Sequence, residues 1–176
     1  MRGVFCYRKA NVCYRKINVR ALRLARQYLC CLKLPTMKKD GPIIIIDDDE
    51  DDRLIFEDIL GSLNFPNEII LLGDSTEALD FLKQEDIKPF MVISDINMPR
   101  MNGFELRDEI LKDPYLTEKT VPFIFFTTVG NGYTVEEAFK RSIQGYFHKT
   151  SNMDQLKETL QEIVDYWRDA VVPEID

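Results

Sequence analysis

"PIIIIDDDEDD", residues 42–52, runs four isoleucines straight into six consecutive acids. A short, continuous apolar run bounded by Gly-Pro and a block of charge reads as a strand buried on both faces. The acids divide in two. Asp47, Asp48 and Asp49 sit where such a strand opens to solvent. Glu50, Asp51 and Asp52 fall in the first turn of a following helix, where the helix dipole stabilises an acid by about 0.3–1 kcal/mol.

Working outward, the pattern alternates. "RLIFEDILGSL", 53–63, places Ile55, Phe56, Ile59, Leu60 and Leu63 on one helical face. "EIILL", 68–72, reads as a second strand. A helix follows at about 75–84, with Asp74 and Glu77 as an Asp variant of the capping box. "FMVIS", 90–94, is a third strand and "GFELRDEILKD", 103–113, a third helix. "PFIFF", 122–126, is a fourth strand, and Thr134 with Glu137 suggests a capping box for a short fourth helix. "GYFH", 145–148, is a fifth strand. A last helix runs over about 152–168, with Ser151 as N-cap and an apolar face of Met153, Leu156, Leu160, Ile163, Val164 and Trp167. Five strands alternating with five helices predict an α/β fold: a doubly wound, five-stranded parallel sheet with helices on both faces.

In such sheets the site lies beyond the C-terminal strand ends. Strand one ends in Asp47–Asp49, strand three in Asp95 followed by Ile96 and Asn97, and strand four in Thr127 and Thr128; Lys149 follows strand five. Clustered carboxylates raise one another's pKa unless a cation joins them. An all-oxygen set without Cys or clustered His selects a hard ion, Mg²⁺ first. An aspartate beside such an ion can attack phosphorus, with the lysine ammonium and threonine hydroxyl compensating charge on the phosphoryl oxygens.

The bulk numbers agree. The 176 residues suffice for one domain, and 45% hydrophobic content suffices for its core. Residues 1–36 hold nine of the 23 Lys/Arg and none of the 30 Asp/Glu, so 37–176 carries 14 basic against 30 acidic residues, a net of −16. That charge argues against nucleic acid as a partner. All four cysteines (Cys6, Cys13, Cys30 and Cys31) lie in 1–36, so the acidic body has neither a disulfide framework nor a thiolate metal site, as befits a cytoplasmic domain. No apolar run reaches the roughly 18 residues of a membrane span. Residues 6–19, "CYRKANVCYRKINV", are a tandem repeat of seven, too few copies for a repeat fold. "MKKDGPIIIIDDD" reads as a natural start at Met37. The basic, Cys-containing extension 1–36 is then a misassigned start or upstream sequence translated in frame; the alternatives are a disordered nucleic-acid-binding arm and a targeting segment.

"IIIIDDDEDDR", "VISDINMPRMNGFEL", "PFIFFTT" and "GYFHKT", in this order and spacing, resemble the response-regulator receiver domain of two-component signalling, a CheY-like, flavodoxin-like (βα)5 fold, over roughly 42–170. The segment 111–122, "LKDPYLTEKTVP", is longer than the family's minimal loop and is similar to that of stand-alone receivers related to phytochrome-linked regulators. The resemblance implies a phosphoacceptor rather than an enzyme. Asp95 would take a phosphoryl group from a histidine kinase or phosphotransfer protein. Asp48 and Asp95 would hold Mg²⁺ through carboxylates, Asn97 through its backbone carbonyl and Asp47 through a water. Thr127 and Lys149 would bind the phosphoryl group, and Tyr146 falls at the aromatic switch position. Gly103 matches the glycine of the loop after strand three. The resemblance further implies a switched surface of fourth helix, fifth strand and last helix, open to a downstream partner or a homodimer. The family's proline after the lysine is Thr150 here; a non-proline cis bond costs about 2.5–4 kcal/mol, so the lysine loop either takes another course or stores strain. Val129 offers no group to position an attacking water, which predicts slow autodephosphorylation.

Rival readings are weaker. Asp47-x-Asp49 resembles the haloacid-dehalogenase-type phosphatases, with Asp47 as nucleophile, but Asp51 stands where that family has Thr or Val, and Asp95 goes unexplained. A degenerate receiver used as an unphosphorylated docking module would not need Asp48, Asp95, Thr127 and Lys149 intact. An EF-hand fails at Asp52, where Gly is required, and at Asp58, where Glu is. His148 reads as a strand-end surface residue, not a phosphoacceptor.

Overall fold

The four isoleucines form strand β1 (Ile43–Ile46), and all four are buried. Side chains alternate across a strand, so Ile44 and Ile46 enter one half of the core and Ile43 and Ile45 the other. The computed structural model describes residues 38–120, 122–128 and 132–170. Strands β2 (Ile69–Leu72), β3 (Met91–Ser94), β4 (Phe123–Thr127) and β5 (Gly145–His148) join β1 in one sheet, in the order β2-β1-β3-β4-β5. Every pairing is parallel.

Helices α1 (Glu50–Ser62) and α6 (Met153–Asp169) cover one face of the sheet, burying Phe56, Ile59, Leu156, Leu160 and Val164 against Ile43, Ile45 and Phe126. Helices α2 (Ser75–Lys83), α3 (Gly103–Lys112), α4 (Pro114–Lys119) and α5 (Gly132–Lys140) supply the other, packing Leu82, Leu106, Leu116 and Ala138 with Ile44, Ile46 and Phe125. Each large apolar side chain so buried is worth about 1.5–3 kcal/mol over its exposed state. The doubly wound parallel sheet read from the strand pattern is therefore the observed fold.

Helix α1 begins at Glu50, as its acidic first turn predicts, and the Asp49 carboxylate caps it by accepting from the N–H groups of Asp51 and Asp52. Local expectations are revised in three places. Thr134 is not a cap: α5 starts at Gly132, and the Glu137 carboxylate turns instead to Lys140 and Arg141. The cap of α6 is Asn152, not Ser151, and Met153 is exposed instead of lying on the buried face. The segment 111–122 contains a sixth helix, α4, capped by Asp113 with proline in its first turn. Its Leu116 is buried, and Lys119 donates to the Gln84 carbonyl at 2.7 Å. Residues 1–36, a start at Met37 and the role of Val129 lie outside the described residues.

Candidate functional site

Strand order reverses between β1 and β3, and the crevice beyond their C-terminal ends is where open α/β sheets bind ligands. Register decides what stands there. Ile46 pairs with Ser94, so the next residues, Asp47 and Asp95, come side by side. The Asp95 N–H donates to the Ile46 carbonyl at 2.8 Å and the Asp47 N–H to Leu72 at 3.1 Å, so both carboxylates hang from extensions of the ladder. On the other flank the Lys149 N–H donates to the Thr127 carbonyl at 3.0 Å, which brings the lysine back over the site.

Asp47, Asp48 and Asp95 each offer an oxygen within 4.8 Å of the others'. Asp47 and Asp95 are buried and Asp48 is exposed. Lys149 Nζ lies 2.6 Å from Asp47 Oδ2, 2.6 Å from Asp52 Oδ2 and 4.0 Å from Asp95 Oδ1. Asp47 Oδ1 accepts the Asp49 N–H and Asp95 Oδ2 the Asn97 N–H, both at 3.1 Å. Asp95 Oδ1 is buried with no hydrogen-bond partner among the described residues. Burial pushes the Asp47 carboxyl above its ordinary value, against the opposing hydrogen bond and charge of Lys149. Burial works against the Lys149 ammonium too, but its bonds to Asp47 and Asp52 outweigh it and raise its pKa. Burial, then the charge of Asp95, raises that of the half-buried Tyr146. Thr127 is fully buried at the end of β4.

The loop from Asp95 to Asn102 is shaped from both ends. The Gly103 N–H donates to the Ile96 carbonyl at 2.9 Å, and a Cβ on Gly103 would lie 2.2 Å from the Asp95 carbonyl oxygen. Only glycine permits that approach. Asn102 and Glu105 form a reciprocal capping box that starts α3 immediately afterwards. Ser75 Oγ donates to the Met101 carbonyl at 2.6 Å, and Asp74 pairs with Arg100, whose φ is 67°. In the lysine loop, Thr150 Oγ1 accepts the Asn152 N–H at 3.2 Å, a local turn that leaves Lys149 pointing into the site without a proline. His148 is exposed at the end of β5, edge-on to Tyr146.

The structure thus brings together Asp47, Asp48, Asp95 and Lys149, with Asn97 and Thr127 on the adjoining strand ends. Sequence reasoning missed three contributors. Asp52 is a second acceptor for Lys149. Arg53, one residue on, donates to the Asp47 carbonyl at 2.6 Å. Ser75 ties down the loop after β3. The acidic run was the only signal for the first, and nothing local marked the other two.

Three carboxylates with oxygens in reach of one another, and a buried Asp95 Oδ1 without a donor, suit a hard divalent cation held by oxygen ligands. Fold and site together define a class: a flavodoxin-like α/β domain with a carboxylate cluster able to hold a metal ion at its switch point and a lysine beside it. The chain belongs to the response regulator receiver domain family, which matches residues 43–161; its members are phosphoacceptor modules of two-component signalling. Response regulator Rcp1 of Synechocystis sp. is 27% identical over 134 residues, spanning 73% of this chain and 90% of that protein. A chemotaxis protein CheY homolog of Campylobacter jejuni is 31% identical over 123 residues, 69% of this chain and 91% of that one. The Mn(2+)-bound form of Rcp1 superposes with a TM-score of 0.67 at 26% identity, covering 76% of this chain and 99% of the other. The phosphorylated cyanobacterial phytochrome response regulator RcpA shares the fold, with a TM-score of 0.68 at 24% identity and the same coverage. Among the described residues no helix is long and apolar enough to cross a membrane.

Proposed function

We propose that this receiver accepts a phosphoryl group on Asp95 from the phosphohistidine of a histidine kinase or phosphotransfer protein, in a Mg²⁺-dependent reaction in the cytoplasm. The observation that carries the reading is Asp95 Oδ1, a buried carboxylate oxygen without a hydrogen-bond donor, 4.0 Å from a lysine ammonium. An Asp95 oxygen forms the new O–P bond while the donor's N–P bond breaks. The electron pair leaves with the imidazole nitrogen, which takes a proton from solvent. Asp48, Asp95 and the Asn97 backbone carbonyl would hold the cation, and Asp47 would act on it through a water. Such a cation neutralises charge on the phosphoryl oxygens. Lys149 pairs with one of those oxygens and Thr127 donates its hydroxyl to another. Tyr146 follows the threonine, and the surface of α5, β5 and α6 changes with it. Phe139 of α5 is 53% exposed on that side and supports protein docking there, whether by a downstream partner or by a second copy. The chemistry calls for no nucleic acid.

Incubation of the full chain with Mg²⁺ and acetyl phosphate, followed by intact mass, tests the reading. One phosphoryl adduct is expected, absent without Mg²⁺ and absent in Asp95→Asn. A folded, unmodified protein would sink it and leave the docking-module reading.

A further inference from the structure

Asp52 enters the site from outside the sheet. It is the third residue of α1, one-third exposed, and its Oδ2 lies as close to Lys149 Nζ as Asp47 Oδ2 does, at 2.6 Å. Both are full charge-assisted hydrogen bonds. Asp95 Oδ1, at 4.0 Å, is beyond one. An ammonium has three donors, and two of them are engaged away from Asp95.

We infer that Asp52 is a positioning residue: together with Asp47 it holds the Lys149 ammonium back from Asp95, and so keeps Asp95 Oδ1 open to a divalent cation and to phosphorus. The inference rests on the role proposed for Asp95. Its logic is one of competition. The lysine side chain is only 12% exposed, so an ammonium released by Asp52 stays among carboxylates rather than turning to water. Asp95 Oδ1 is a buried acceptor without a donor of its own, about 1 Å beyond hydrogen-bond range of the ammonium. Closing that gap would cover an oxygen the cation needs and set a positive charge beside it. Asp47 cannot prevent this alone, because it stands next to Asp95 on the adjoining strand end; Asp52 comes from a different element.

The test is a double-mutant cycle on Mn²⁺ affinity, read from the electron paramagnetic resonance of the free ion, with the full chain. Asp52→Asn is expected to weaken Mn²⁺ binding at least about threefold, the scale of coupling between contacting charges. In a Lys149→Ala background the same change is expected to do little, and Asp52→Glu to restore affinity. Asp51→Asn, which removes an equal charge one residue away, is expected to leave it nearly unchanged. Equal weakening with and without Lys149, or none at all, overturns the inference, since Asp52 would then act as bulk charge or not act. Circular dichroism checks the fold of each variant, and Asp52→Ser replaces the amide in the cycle if Asp52→Asn does not fold. Wild-type protein that binds no Mn²⁺ overturns the inference along with the cation site. Normal Mn²⁺ binding without an acetyl-phosphate adduct sinks only the role of Asp95 as acceptor, and the cycle still reads on Asp52.

Discussion

At the scale of single residues, close approach and burial set the penalties. Gly103 stands where a side chain would strike the Asp95 carbonyl at 2.2 Å. Gly103→Ala is expected to lose about 1–3 kcal/mol, the usual range for overpacking, seen as a lower urea midpoint; an unchanged midpoint would show that the loop yields freely. Arg107 of α3 is the largest fully buried side chain among the described residues. Its guanidinium donates to the Arg141 and Ser142 carbonyls at 3.1 and 3.0 Å and to Thr120 Oγ1 at 3.2 Å. Those carbonyls follow the C-terminal end of α5, where the helix dipole favours a cation. Arg107→Ala leaves three acceptors without this donor and a cavity over Phe123, a loss of roughly 3 kcal/mol or more. Chemical denaturation checks it, and a loss under about 1 kcal/mol would mean water replaces the guanidinium.

At the scale of elements, the caps decide where helices begin. Asp113 accepts from the N–H groups of Tyr115 and Leu116 at the head of α4. Asp113→Ala is expected to cost about 1 kcal/mol and to speed amide exchange across 114–119 before it affects the sheet. The Asp74 cap of α2 adds a pH dependence. Hydrogen bonding from the Glu77 N–H first, then from Thr76 and the charge of Arg100, holds its carboxyl below the ordinary value. A carboxyl lowered on folding contributes stability that is fully present above the unfolded pKa, about 3.9, and is lost as pH falls through the folded one. Acid titration of the urea midpoint should therefore show a smaller decline below about pH 4 in Asp74→Asn than in the native chain; identical acid limbs would remove Asp74 from the account. α4 itself was legible in "DPYLTEK" as Asp N-cap and Pro N1. Its six residues carry too little periodicity to register as a helix, so by pattern alone the segment reads as a loop.

At the scale of the whole molecule, one sheet carries two half-cores, and the side chains on β4 join the rest to it. Phe126 meets Phe56 of α1 edge-on at 5.3 Å and stacks on Phe147 of β5 at 5.1 Å. Phe126→Ala is expected to cost about 3–5 kcal/mol, a large share of the 5–15 kcal/mol typical of a domain, lowering the midpoints of α-helical and tertiary signals together. A loss confined to the tertiary signal would argue that the two faces fold separately. Alkaline pH should weaken the molecule for a reason centred on the site. The Lys149 pKa is raised on folding, so its pairs contribute stability that is complete below the unfolded value, about 10.4, and is lost as pH rises through the folded one. Lys149→Met should flatten that limb.

Alternation and strand ends were enough to read the parallel sheet, the central place of "IIII" and the gathering of Asp47, Asp48, Asp95, Thr127 and Lys149, because period and strand termini are local properties of the chain. What the tertiary structure alone decided were the links between distant parts: Asp52 on Lys149, 97 residues away, Ser75 on the Met101 carbonyl, and Arg107 under the end of α5. Each joins side chains or carbonyls from elements that meet only once register and helix packing are set. An ammonium or a guanidinium can choose among several acceptors, and only distance and burial in the folded chain make the choice.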